Sequence, residues 1–153
     1  MYREIITLNK NIVLQSLDPN DTYYIGGTII EGQMNEPVLN LGENSGSCEI
    51  AGVTLRAGSV GIMGTGTNAT IRNCRIIDNV GNGIELSFES KPNLLGSLVT
   101  ANGGNGIMMH DTTYGRHTLY CEPIIKKCCI VDNEGAGVVG GRPMIVDSVI
   151  EEK

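Results

Sequence analysis

The side chains best suited to chemistry gather in one stretch. Residues 110–122, HDTTYGRHTLYCE, hold both histidines of the chain together with Asp111, Tyr114, Arg116, Tyr120, Cys121 and Glu122. His110, Asp111, His117, Cys121 and Glu122 all carry metal-ligating atoms. His117-x3-Cys121 is a tolerable ligand spacing, but zinc sites show tighter clusters, so the reading is that no metal and no other cofactor is bound. Glu85 and Asp111 are the acids placed to form a glycoside-cleaving pair, which requires two carboxyls on one face about 5–10 Å apart. One such pair among 17 acids is weak evidence. The catalytic candidates are therefore His110, Asp111, Arg116, His117 and Glu85, with Tyr114, Tyr120 and Glu122 as ligand contacts. His110 beside Asp111 makes no triad, and no serine-nucleophile motif accompanies it.

What would position these residues is a repeat. Ala69–Ser87 reads ATIRNCRIIDNVGNGIELS: short apolar pieces with a period of two, broken by Asn, Asp and Gly turn residues. The same sequence of positions returns in Asn93–His110 and Pro123–Gly140, begins again at Ile145, and fits upstream at Ile50–Ile62 with a small slip. One lone apolar position falls at Ile50, Ile71, Leu94, Ile125 and Ile145, with spacings of 21, 23, 31 and 20 residues. A 20-to-23-residue period with one insertion is a solenoid signature. The insertion is 111–122, expected to form a hairpin-like flap or an arm that packs on a partner subunit. Leucine-rich and helical repeats are excluded, because neither their leucines nor their ten-residue amphipathic runs are present.

Three short strands per turn, an Asn at one corner and a Gly before the next strand resemble the right-handed parallel β-helix of the pectate-lyase-like superfamily. The resemblance covers residues 47–150 well and implies an all-β, single-domain solenoid over 1–153. Residues 1–46 are read as irregular opening coils, with strands at Ile5–Leu8, Ile12–Leu14, Thr28–Ile30 and Val38–Leu41 and a turn at Asp18–Asp21. The superfamily contains lyases and hydrolases as well as inert scaffolds, so the fold leaves the function open. A lyase of this kind is expected to show calcium-binding Asp clusters beside a basic residue that abstracts a proton. Arg116 offers the base, but no Asp cluster accompanies it.

Composition bounds the rest. Gly is frequent at 21 residues, Trp is absent and Phe occurs once, which suits a narrow core of stacked aliphatics. A formal charge of −6, with basic residues scattered along the chain, argues against a nucleic-acid partner and an anionic membrane. No stretch approaches the length of a membrane span. The N-terminus lacks a signal peptide's long apolar region, which predicts the cytoplasm, although the resemblance would allow export. Cys48, Cys74 and Cys128 are expected inside as small core residues, and adjacent Cys128 and Cys129 should face opposite ways.

Two outward stripes complete the reading. One holds Met63, Glu85, Met108 and Val139; the other holds Thr54, Arg75, Leu98, Cys129 and Val149. Both turn apolar towards the C-terminal coils. Met63, Met108 and Val139, or Leu98, Cys129 and Val149, are expected to form a homo-oligomer interface, with Arg75 and Glu85 at its rim. The leading expectation is a non-catalytic structural or binding module. The alternative is a carbohydrate-active lyase or glycosidase working at the flap on a carbohydrate ligand.

Overall fold

The computed structural model describes residues 5–43 and 48–152. Most of the polar loop expected at Gly42–Ser47 lies outside them, as do the first four residues and Lys153. Among the described residues, twenty strands are numbered β1–β20 in chain order. Eighteen of them form three parallel sheets of six strands each. The first sheet contains β1 (Ile6–Leu8), β4 (Leu39–Leu41), β7 (Ile62–Thr65), β10 (Ile84–Ser87), β13 (Ile107–His110) and β18 (Val138–Val139). The second contains β2 (Val13–Gln15), β5 (Glu49–Ala51), β8 (Thr70–Arg72), β11 (Asn93–Leu95), β16 (Ile124–Lys126) and β19 (Met144–Val146). The third contains β3 (Ile29–Glu31), β6 (Thr54–Arg56), β9 (Arg75–Ile77), β12 (Leu98–Thr100), β17 (Cys129–Val131) and β20 (Val149–Ile150). The chain visits the sheets cyclically, which is a parallel β-helix. The opening residues take part fully: β1 to β4 pair in parallel with the turn that follows.

The expected column is present. Leu14, Ile50, Ile71, Leu94, Ile125 and Ile145 are consecutive register partners in the second sheet. In the third sheet Leu55, Ile76, Val99 and Ile130 stack likewise and are fully buried. Ile145 closes its column and is 45% exposed, because no strand in the described residues lies beyond it. Period two selects these residues: each three-residue strand of the second and third sheets turns its middle side chain inward and its flanks outward, whereas β4 of the first sheet buries Leu39 and Leu41 and turns Asn40 outward.

Corners need unusual backbone. Asn73, Lys127 and Asp147 turn from second to third sheet with φ near +50°, and Asp78, Ala101 and Asp132 turn from third to first in the same conformation. Asn and Asp adopt the left-handed region more readily than other residues with a Cβ. Just inside the second corner, Asn79, Asn102 and Asn133 form a buried ladder. Asn79 Nδ2 donates to Asn102 Oδ1, and Asn102 Nδ2 to Asn133 Oδ1, each at 2.9 Å. The same amides donate to Ile77, Thr100 and Val131 carbonyls, which satisfies groups that are costly to leave unpaired. Gly83 and Gly106 are required beside this ladder. A Cβ on Gly106 would lie 2.4 Å from Ile130 Cγ2 and 2.5 Å from Gly137 O.

One element was not expected. α1 (Thr22–Gly27) follows the Asp18–Asp21 turn, with Asp21 accepting from Tyr23 N–H at 2.8 Å as its N-cap. It lies on the outer face of the third sheet, where Thr54 Oγ1 donates to Ile25 O at 2.7 Å. Thr54, placed by its register among the outward residues, is consequently buried.

Candidate functional site

The insertion folds as a β-hairpin. β14 (Thr112–Tyr114) pairs antiparallel with β15 (His117–Leu119), Tyr114 opposite His117. Gly115 sits at φ +60° in the first loop position, where a two-residue hairpin favours positive φ. The hairpin leaves the solenoid between the first and second sheets. Its tip presents Tyr114, Arg116 and His117 to solvent.

The base of the hairpin is fastened to its neighbours. Asp111 Oδ1 accepts from Cys121 N–H and Oδ2 from Gly141 N–H, both at 3.1 Å. Lys91 Nζ lies 3.1 Å from Glu122 Oε2. Arg142 stacks 3.6 Å above the Tyr120 ring, a cation–π contact. Cys121 is fully buried, so it points into the core while His117 stands at the exposed tip. The ligand spacing weighed for this pair is therefore not realised. Among the described residues no group of three or more His, Cys, Asp or Glu side chains is placed to hold a metal ion.

Among the described residues, the candidate chemical pair is Glu85 with His110. Glu85 Oε1 lies 2.8 Å from His110 Nε2, and Asn82 Nδ2 donates to Oε2 at 3.2 Å. Both project from the outer face of the first sheet, where Glu85 is flanked in register by Met63 and Met108. Asp111, the other acid weighed for a carboxylate pair, turns its oxygens onto backbone N–H groups instead. The flap therefore divides: Asp111, Tyr120 and Glu122 make contacts that anchor it, whereas Arg116, His117 and Tyr114 lie at its tip.

Both outward stripes are single columns. Met63, Glu85, Met108 and Val139 are successive partners in the first sheet. Arg75, Leu98, Cys129 and Val149 are successive partners in the third. A second outward column runs beside the latter through Ile77, Thr100 and Val131. Sequence reasoning missed this second column, although the same alternation that exposes Leu98 exposes Thr100. α1 covers the upper part of this face and ends at Arg75. At the helix foot is an open groove of about 470 Å³ lined by Asn20, Thr22, Ile25, Asn73, Arg75 and Leu98, among others. Arg75 is exposed, and no carboxylate of the described residues pairs with it.

The cysteines are all free. Burial pushes the Cys74 thiol up to about 11 and raises Cys121 and Cys128 as well, the behaviour of inert core thiols. Cys129 faces outward, half-buried, as expected from its neighbour's orientation.

Residues 25–141 match the family described as the right-handed β-helix region. The chain belongs to the right-handed β-helix family. No curated protein and no solved structure matches it. No described helix is long and apolar enough to cross a membrane.

Proposed function

We propose that this β-helix is a non-catalytic module that self-associates through the outer face of its third sheet. The observation that carries the reading is the lower part of that face. Ile77, Leu98, Thr100, Cys129, Val131 and Val149 lie in two adjacent columns with no charged side chain among them, and Val149 is 63% exposed. Flat strips of this kind favour association when the partner supplies the same surface. The test is sedimentation of the wild type beside Leu98→Glu and Met108→Glu. The expected result is a wild-type oligomer that Leu98→Glu dissociates, because a buried unpaired charge is costly, while Met108→Glu leaves it assembled. A wild type that stays monomeric at high concentration removes the reading.

The Glu85–His110 pair favours a second reading, a carbohydrate-active enzyme at the first-sheet face beside the flap. A carboxylate bonded to an imidazole is a serviceable acid–base pair. The expected outcome is no turnover on plant or bacterial polysaccharides. Product release that vanishes in Glu85→Gln and His110→Ala would reverse the ranking.

A further inference from the structure

We infer that two copies meet with their solenoid axes antiparallel, each setting its Val149–Glu151 edge into the groove below α1 of the other. The inference rests on the self-association proposed above and specifies the partner surface and its orientation.

Three observations carry it. The first is steric. α1 stands on the outer face of the third sheet over Thr54 and reaches Arg75, where a Cβ on Gly26 would be 3.3 Å from Nη1. A face-to-face pair with parallel axes brings helix against helix and holds the apolar strips below them apart. Reversing one copy places each helix at the far end of the other's strip, so the strips close.

The second is the shape of the step between helix and strip. The 470 Å³ groove has α1 residues Thr22 and Ile25 on one side and Arg75 and Leu98 on the other. Three strand spacings of about 4.8 Å span the strip from the Arg75 turn to the Val149 turn. A two-fold axis through its middle relates the Arg75 turn of one copy to the Val149 turn of the other. The same operation sets Leu98 opposite the partner subunit's Cys129.

The third is charge. Arg75 heads the strip without a carboxylate partner among the described residues. At the opposite end, Glu151 donates its N–H to Ile130 O and follows Val131 in the second outward column. It is exposed, as are Asp132 and Glu152 beside it. Antiparallel axes oppose Arg75 to this acidic edge twice, whereas parallel axes oppose Arg75 to Arg75. Like charges so placed act against the wrong arrangement.

The experiment is a charge exchange read by sedimentation. Arg75→Glu and Glu151→Arg should each weaken self-association about tenfold or more, and the double variant should return to within about threefold of wild type, as expected of a rim charge pair. A companion measurement oxidises Leu98→Cys and maps the link by mass spectrometry. The disulfide should join the introduced thiol at position 98 to the partner's Cys129 in a covalent dimer of mixed isotope-labelled and unlabelled copies, which separates it from a link within one copy, where the two positions are register neighbours. Links of 98 to 98 and 129 to 129 would show parallel axes and overturn the inference. So would single charge reversals that leave association unchanged while Leu98→Glu still abolishes it, an outcome that keeps the self-association reading. A monomeric wild type removes both.

Discussion

The outer faces of the first and third sheets are built on one coil, yet they differ by a single residue in each column. In the first sheet, Glu85 falls between Met63 and Met108 and is bonded to both Asn82 and His110. Covering that face would strip water from a carboxylate, and the pair already formed with His110 offsets only part of that cost. In the third-sheet column of Arg75, Leu98, Cys129 and Val149, the charged residue stands at the head and the three below it are neutral. The position of one charge along a stack decides whether the remaining apolar residues act as a continuous surface. Glu85, expected at the rim of a contact, is in the middle of its stripe.

The largest effect separates the inside of the third sheet from its outside. Ile76→Ala should cost about 2–5 kcal/mol through lost burial and a cavity, measured by urea denaturation. Its neighbour Arg75→Ala should stay within about 0.5 kcal/mol, as exposed substitutions do. Equal losses would break the in–out register on which both faces depend.

Alkaline unfolding tests the burial of the inner thiols. The Cys74 thiol is held up to about 11 from 9.0 by burial. The folded state therefore favours the protonated thiol, and stability is intact below about 9. It falls between 9 and 11 as the unfolded thiol ionises first, by about 3 kcal/mol for this group. Ser97 and Ser148 occupy the equivalent position in later turns, so Cys74→Ser should fit the column and move alkaline unfolding to higher pH.

A small effect is expected on the first-sheet face. Glu85→Gln should cost less than about 1 kcal/mol, since the pair with His110 is partly in water. A markedly larger loss in thermal unfolding would mean that this pair holds the turns together, and would remove the contrast with the apolar face.

Much of this was legible in the sequence for a physical reason. A β-helix repeats its inward residue at every turn, so Ile50, Ile71, Leu94, Ile125 and Ile145 announce the fold, and alternation then assigns Leu98, Cys129 and Val149 to one outward column. The flap was visible as a break in spacing and expected to be hairpin-like, but the position of its turn at Gly115 was not read. α1 was not legible: six residues ending in Gly26-Gly27 give too little apolar periodicity to register. The roles of Asp111 and Cys121 were hidden for another reason. Side chains rich in chemistry also make good fastenings, and only the neighbouring turn, through Gly141, reveals that Asp111 serves as one.

Both faces can be compared in one sample by footprinting at low and high protein concentration. The account predicts that alkylation of Cys129 slows as concentration rises, while oxidation of Met63 and Met108 proceeds at an unchanged rate. Protection of the methionines with Cys129 still reactive, or no protection on either face, would contradict it.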